Sequence, residues 1–172
     1  FLFVISFILI TPNLNHAKEI LIYADSISYD EDNNIIARGN AKIFRKNKLI
    51  VSDLIIFNKE SEKIILPSKF TFKDENNNFF EGENGFFYKN LDLAEFNNPK
   101  IKLNDGSRII GKKIKKDGKI DIISKGVYSP CKSRIKIGNF ICPTWQLEGE
   151  KILHDNDNLF LYQKHSKMRV LN

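Results

Sequence analysis

The stretch Ala24-Asp25-Ser26-Ile27-Ser28-Tyr29-Asp30 is answered by Ser52-Asp53-Leu54-Ile55-Ile56-Phe57-Asn58. One residue out of register, it returns as Gly82-Glu83-Asn84-Gly85-Phe86-Phe87-Tyr88. A weaker fourth copy opens at Gly111-Lys112-Lys113-Ile114. Each unit closes on a second short strand with period-2 alternation, as in Ala41-Lys42-Ile43, Phe70-Thr71-Phe72 and Ile101-Lys102-Leu103. Polar clusters such as Asp30-Glu31-Asp32-Asn33-Asn34 and Asp74-Glu75-Asn76-Asn77-Asn78 supply the turns. A unit of two strands cannot bury its apolar face alone, so successive hairpins must stack. The repeat therefore predicts an all-β chain: an elongated β-jellyroll, a folded-over antiparallel sheet of repeating hairpins with an apolar groove. An ordinary β-sandwich with evenly spaced strands is the competing architecture. Asp25 and Asp53 share parity with Ile27 and Ile55, which is awkward unless the two acids lie at strand ends.

Composition agrees. The 172 residues hold 25 Ile and 14 Phe but 5 Ala, which suits pleated surfaces better than helices. A hydrophobic fraction of 42% is enough for one domain with a real interior. The net charge of +6 comes from 22 Lys and 5 Arg, a poor balance for reading nucleic-acid phosphates. No nucleic-acid partner is expected. The charge is unevenly spread, -2 over residues 18–100 and +8 over 101–172. Lys112-Lys113-Ile114-Lys115-Lys116 reads either as attraction to an anionic partner or as a sheet edge guarded by lysines.

Phe1 to Ile10 is apolar apart from Ser6 and is followed by a small-residue site ending at Ala17. It is too short to span a bilayer and reads as a partial signal peptide over 1–17, with an N-terminal membrane anchor as the alternative. Export makes Cys131 and Cys142 candidates for an intrachain disulfide, with pairing to cysteines elsewhere as the rival. The sequence shows no metal-ligand pattern around His154 or His165, and no nucleophile elbow or phosphate-binding glycine loop. Glu148 and Glu150 are spaced as exposed strand residues. Neither an enzyme nor a cofactor is expected, and a carbohydrate-active β-solenoid lacks its acidic pair.

Ala24 to Asp30, with Asn34-Ile35-Ile36-Ala37-Arg38-Gly39-Asn40-Ala41-Lys42-Ile43, resembles the repeat of the OstA-like periplasmic domains of lipopolysaccharide transport, the LptA/LptC/LptD superfamily. The run Tyr128-Ser129-Pro130-Cys131, then Cys142-Pro143-Thr144-Trp145-Gln146-Leu147 and Ile152-Leu153-His154-Asp155, resembles the junction that precedes the outer-membrane barrel in the LptD family. The resemblance implies an OstA-like repeat β-jellyroll over 18–130 and a C-terminal part of it over 131–172 leading to a barrel. It implies a role in lipopolysaccharide transport and assembly, on the periplasmic face of the outer membrane of a Gram-negative bacterium. Lipid A would enter an apolar groove and pass to a barrel plugged by an LptE-like lipoprotein. An LptA-like bridge protein would be a partner by β-edge pairing. The different-class alternative is a self-associating periplasmic β-scaffold or an LptA/LptC-like bridge.

Parity and period nominate the lipid-facing residues: Ile27, Tyr29, Ile43, Ile55, Phe57, Phe70, Phe72, Phe86, Tyr88, Ile101 and Leu103. Trp145 and Leu147 share one strand face, and Trp145 is expected to pack at the end of the groove against the last repeat.

Overall fold

Long strands of ten or eleven residues, each interrupted near its middle, are what the repeat builds. The structure, a computed structural model, describes residues 20–130, 136–137, 140–141 and 145–170. The segment 1–17 and both Cys131 and Cys142 lie outside the described residues. In chain order the strands are β1 (Leu21–Tyr23), β2 (Ser26–Tyr29), β3 (Ile35–Arg45), β4 (Lys48–Asn58), β5 (Lys63–Lys73), β6 (Phe79–Tyr88) and β7 (Leu93–Lys102). They continue as β8 (Arg108–Ile110), β9 (Lys113–Asp117), β10 (Ile120–Ser129), β11 (Lys136–Ile137), β12 (Phe140–Ile141), β13 (Trp145–Asp155), β14 (Phe160–Lys164) and β15 (Lys167–Val170). No helix occurs among the described residues. Thirteen strands form one antiparallel sheet, and β11 pairs with β12 separately.

The sheet is a meander. β3 through β7 pair as successive hairpins. β8 and β9 are two halves of one crossing between β7 and β10. In the same way β1 and β2 both pair with β3, and β14 and β15 both pair with β13, which lies beside β10.

The interruptions fall in a line. The Asp25 amide donates to the Gly39 carbonyl at 2.9 Å where β1 gives way to β2. Register shifts follow between Arg38 and Ala41, Ser52 and Ile56, Leu66 and Lys69, and Glu81 and Phe86. The Asn98 amide then meets the Lys112 carbonyl at 2.8 Å, and the Lys112 amide meets the Ser124 carbonyl at 2.9 Å. Gly39, Asn40, Asn84, Asn98 and Lys125 take left-handed φ there, a conformation that favours Gly and Asn. Gly39 has a second reason: a Cβ on it would stand 2.4 Å from the Asp25 carboxylate, which itself accepts from the Asn40 amide. Extra residues of this kind bend strands, so the line is a crease.

Across the crease the sheet doubles back on itself. Lys48 opens β4, whereas Asp92 stands at the far ends of β6 and β7, and in a flat sheet an eleven-residue strand would hold them roughly 35 Å apart. They form an ion pair. One layer therefore holds the strand halves beside the turns at 46–47, 74–78 and 103–107. The other holds the halves beside 30–34, 59–62, 89–92 and 156–159.

Between the layers lies a core of phenylalanines. Phe72 and Phe80 of the first layer and Phe87 and Phe96 of the second are fully buried. Ring centroids are 4.9 Å apart for Phe72 and Phe87 and 5.1 Å for Phe70 and Phe96, close enough for favourable aromatic packing. Ile43, Ile50, Ile55, Ile64, Leu66, Ile109, Ile114, Ile123 and Ile152 extend the same core lengthwise.

Candidate functional site

The inner face of the folded sheet carries most of the nominated positions. Ile43, Ile55, Phe57, Phe70, Phe72, Ile101 and Leu103 are all buried in the shared core. Ile27 and Tyr29 stand opposite Ala37 and Ile35 and so share the inner face, yet they are 49% and 62% exposed. β2 is an edge strand paired only with β3, so the expectation that these two point into the interior shared with the others is corrected: they keep its face but stand open beside it. They form an apolar mouth, leading to Ala37 and then to Ile55 and Phe57. The Lys59 ammonium lies 5.2 Å from the Tyr29 ring centroid at its rim.

Phe86 and Tyr88 are a second correction. They are half-buried on the outer face of the second layer, with Phe86 beneath the Lys63 ammonium at 4.6 Å. The interior positions of β6 are Phe80 and Gly82 before the crease, Gly85 and Phe87 after it. One extra residue in the crease reverses the alternation, so even positions point inward on one side and odd positions on the other. Taken in register, with Glu83 answering Asp53, the third copy of the repeat places Phe87 opposite Phe57. Phe80 and Phe96 were also missed, although each sits two residues from a glycine or alanine of its own face.

The opposite end of the interior is also open among the described residues. Trp145 and Leu147 share one face, as expected, and Trp145 lies 6.4 Å from the Tyr128 ring. Met168 pairs with Leu147, Val170 pairs with Trp145, and both side chains of β15 are exposed.

Away from the crease the two layers are fastened by polar contacts between turns. Arg45 meets Glu62 at 3.0 Å, Lys48 pairs with Asp92, and the Asn78 amide donates to the Asn156 side-chain oxygen at 3.1 Å. Behind Asn156 sits a buried cluster on the second layer. Asp121, fully buried, accepts from Lys116 Nζ at 3.0 Å and from Asn156 at 2.8 Å, with His154 Nδ1 at 3.4 Å. Burial pushes the Asp121 carboxyl up, but the hydrogen bonds from His154, Asn156 and Lys116 together with the Lys116 charge outweigh it and hold the group below the ordinary carboxylate value. Two cavities of about 340 and 270 Å³ flank the Asn78–Asn156 bridge. No sequence motif announces this cluster; its signal is that Lys116 follows Ile114 by two residues on the inner face.

The remaining polar candidates are dispersed. His165 bonds Glu150 at 2.6 Å on the surface, and Glu148 pairs with Arg169 at 3.0 Å. Among the described residues no three His, Cys, Asp or Glu side chains are grouped to hold a metal ion.

Fold and interior together define a class: a creased antiparallel sheet, closed on itself along a polar seam, with an apolar inner face that no other described residue covers at either end. No family model matches the chain, and no curated protein matches it. Among solved structures it is similar to LptH of Pseudomonas aeruginosa, described as the LptA homologous periplasmic component of the lipopolysaccharide transport device. That similarity covers 90% of this chain and 96% of the other at 11% identity, with a TM-score of 0.33, too loose to bear on function.

Proposed function

We propose that this chain is a periplasmic lipid-conducting module of lipopolysaccharide transport. The observation that carries the reading is the apolar mouth formed by Ile27 and Tyr29, exposed on the same inner face that continues into Ile55, Phe57 and the phenylalanine core. Acyl chains entering there would gain roughly 0.8 kcal/mol per methylene removed from water. The phenylalanines fill the middle of the interior, so a chain entering further displaces rings or parts the layers at their seam. Catalysis has no part in the reading.

The resemblance of residues 128–155 to the LptD junction supports a place ahead of an outer-membrane barrel, with lipid A handed on to a barrel and its LptE-like lipoprotein. Edge strands without an outer neighbour among the described residues, β1 and β2 at one end and β14 and β15 at the other, favour a second reading as an LptA-like bridge that pairs edge to edge. Concentration-dependent head-to-tail oligomers of the chain alone would select the bridge.

A photo-crosslinking amino acid at positions 29, 57 and 86 tests the shared core of both readings. Lipopolysaccharide is expected to crosslink from 29 and 57 and not from 86, on the outer face. Ile27→Glu, at an exposed position, is expected to abolish the crosslink from 57 while leaving the β circular dichroism intact. Crosslinking from 86 alone, or retained crosslinking in Ile27→Glu, would remove the interior as the site.

A further inference from the structure

The inner-face row that crosses β7, β9, β10 and β13 is Phe96, Ile114, Ile123 and Ile152, each directly opposite the next and each fully buried. It ends on Gln163 of β14, opposite Ile152. β14 has no outer neighbour among the described residues, so an amide closes an apolar row at the open end of the interior. Among the described residues four side-chain atoms are buried without a hydrogen-bond partner, and two of them are Nε2 and Oε1 of Gln163. The others are single atoms, Arg45 Nε and Asn90 Oδ1. Other buried polar groups are answered within the chain: Lys116 bonds Asp121, and Ser52 donates to the Lys69 carbonyl. Beside the amide stands Gly149, where a Cβ would lie 3.4 Å from Gln163 Oε1, so no side chain meets the amide from that position. A buried, unpaired amide costs free energy that an apolar side chain of similar shape would avoid, so folding does not explain Gln163.

We infer that Gln163 binds the linkage that joins an acyl chain to its headgroup, and selects an amide linkage over an ester or ether. The inference rests on the lipid-conducting reading and adds to it a polar contact at the end of the interior away from Ile27 and Tyr29. Oε1 only accepts and Nε2 only donates, so both are satisfied by cargo that offers a donor as well as an acceptor where chain meets headgroup. An amide linkage carries an N–H for Oε1, whereas an ester or an ether carries acceptors alone. Because the amide atoms are buried in the closed fold, an entering chain reaches them by parting the side chains above. Pairing the amide then stabilises the loaded form relative to the closed one, the differential contact by which a ligand shifts a population.

The test titrates the full chain with N-decanoylglucosamine and with decyl glucoside, which share chain length and sugar class but join them by an amide and by an ether. Trp145, the one tryptophan of the chain, stands on β13 beside β14 and reports binding by its fluorescence. Wild type is expected to bind the amide-linked amphiphile about five- to tenfold more tightly, the worth of one hydrogen bond that the ether does not form. Gln163→Met, apolar and similar in length, is expected to lose that preference, to keep its affinity for the ether-linked amphiphile, and to unfold at the same urea concentration as wild type or higher. Equal affinity of wild type for the two amphiphiles, or a preference retained in Gln163→Met, overturns the inference and leaves lipid conduction standing. A lower unfolding midpoint in Gln163→Met overturns it as well, because the amide is then paired within the fold. Binding of neither amphiphile overturns it together with the lipid-conducting reading.

Discussion

Arg45 and Glu62 meet at 3.0 Å although one ends β3 and the other stands in the turn after β4, beyond the full length of an eleven-residue strand. The contact exists because the crease brings the two rims of the sheet together. Arg45 is 3% exposed while Glu62 is half in water, and Arg45 Nε is buried without a hydrogen-bond partner.

That asymmetry predicts how the seam responds to substitution. A buried ion pair is often replaced by apolar residues of similar volume with little loss. Arg45→Met is therefore expected to change stability by less than about 1 kcal/mol, whereas Arg45→Ala, which leaves a void, loses about 2 kcal/mol or more. Urea unfolding midpoints of the two variants check this, and equal losses would contradict it.

Asp121 gives the fold an acid limit. Its carboxyl titrates lower in the folded chain than in the unfolded one, so it contributes stability that is present above about pH 4 and is lost as pH falls through the folded value. Asp121→Asn should flatten the decline of the unfolding midpoint below about pH 5. At neutral pH, Asp121→Ala strands the Lys116 ammonium and is expected to lose about 3–5 kcal/mol. An unchanged acid slope in Asp121→Asn would show that the cluster does not set it.

Gly82 is fixed by its neighbour. A Cβ there would lie 2.3 Å from the Phe96 ring, while at Gly149 the nearest atom is 3.4 Å away. Gly82→Ala should destabilise by roughly 1–3 kcal/mol and Gly149→Ala by much less. In a double-mutant cycle Phe96→Leu should recover part of the Gly82→Ala loss, and strict additivity would refute the clash.

Phe72 and Phe86 differ in face, which thermal unfolding separates. Phe72→Ala removes a fully buried ring from a cluster of five and should lose about 3–5 kcal/mol, with Phe86→Ala losing about 1 kcal/mol or less. Equal losses would put Phe86 back in the interior.

The repeat made the hairpins, the folding-over and seven interior positions readable, because burial at alternate residues leaves a period that survives in the sequence. Asp25 stands between β1 and β2, at strand ends as expected, whereas Asp53 lies within β4, in the crease where the register shifts. Phe86 was misplaced because a single inserted residue reverses parity without altering composition. Ile27 and Tyr29 were placed on the right face, but only the end of the folded sheet decides what covers them. The Lys116–Asp121–His154–Asn156 cluster is joined by bonds between residues 5 to 35 positions apart and depends on where two layers meet, which local pattern does not encode.

The crease recurs at residues 25, 40, 53, 68, 83, 98, 112 and 125, once per crossing. Growth of such a molecule is therefore quantised. Inserting one residue into a crossing would turn every later side chain of that strand inside out, whereas inserting a whole pair of crossings would lengthen the trough and leave its cross-section untouched. Relatives of different reach could thus arise by duplicating hairpins, each new pair adding its own stretch of interior and its own fastening at the seam.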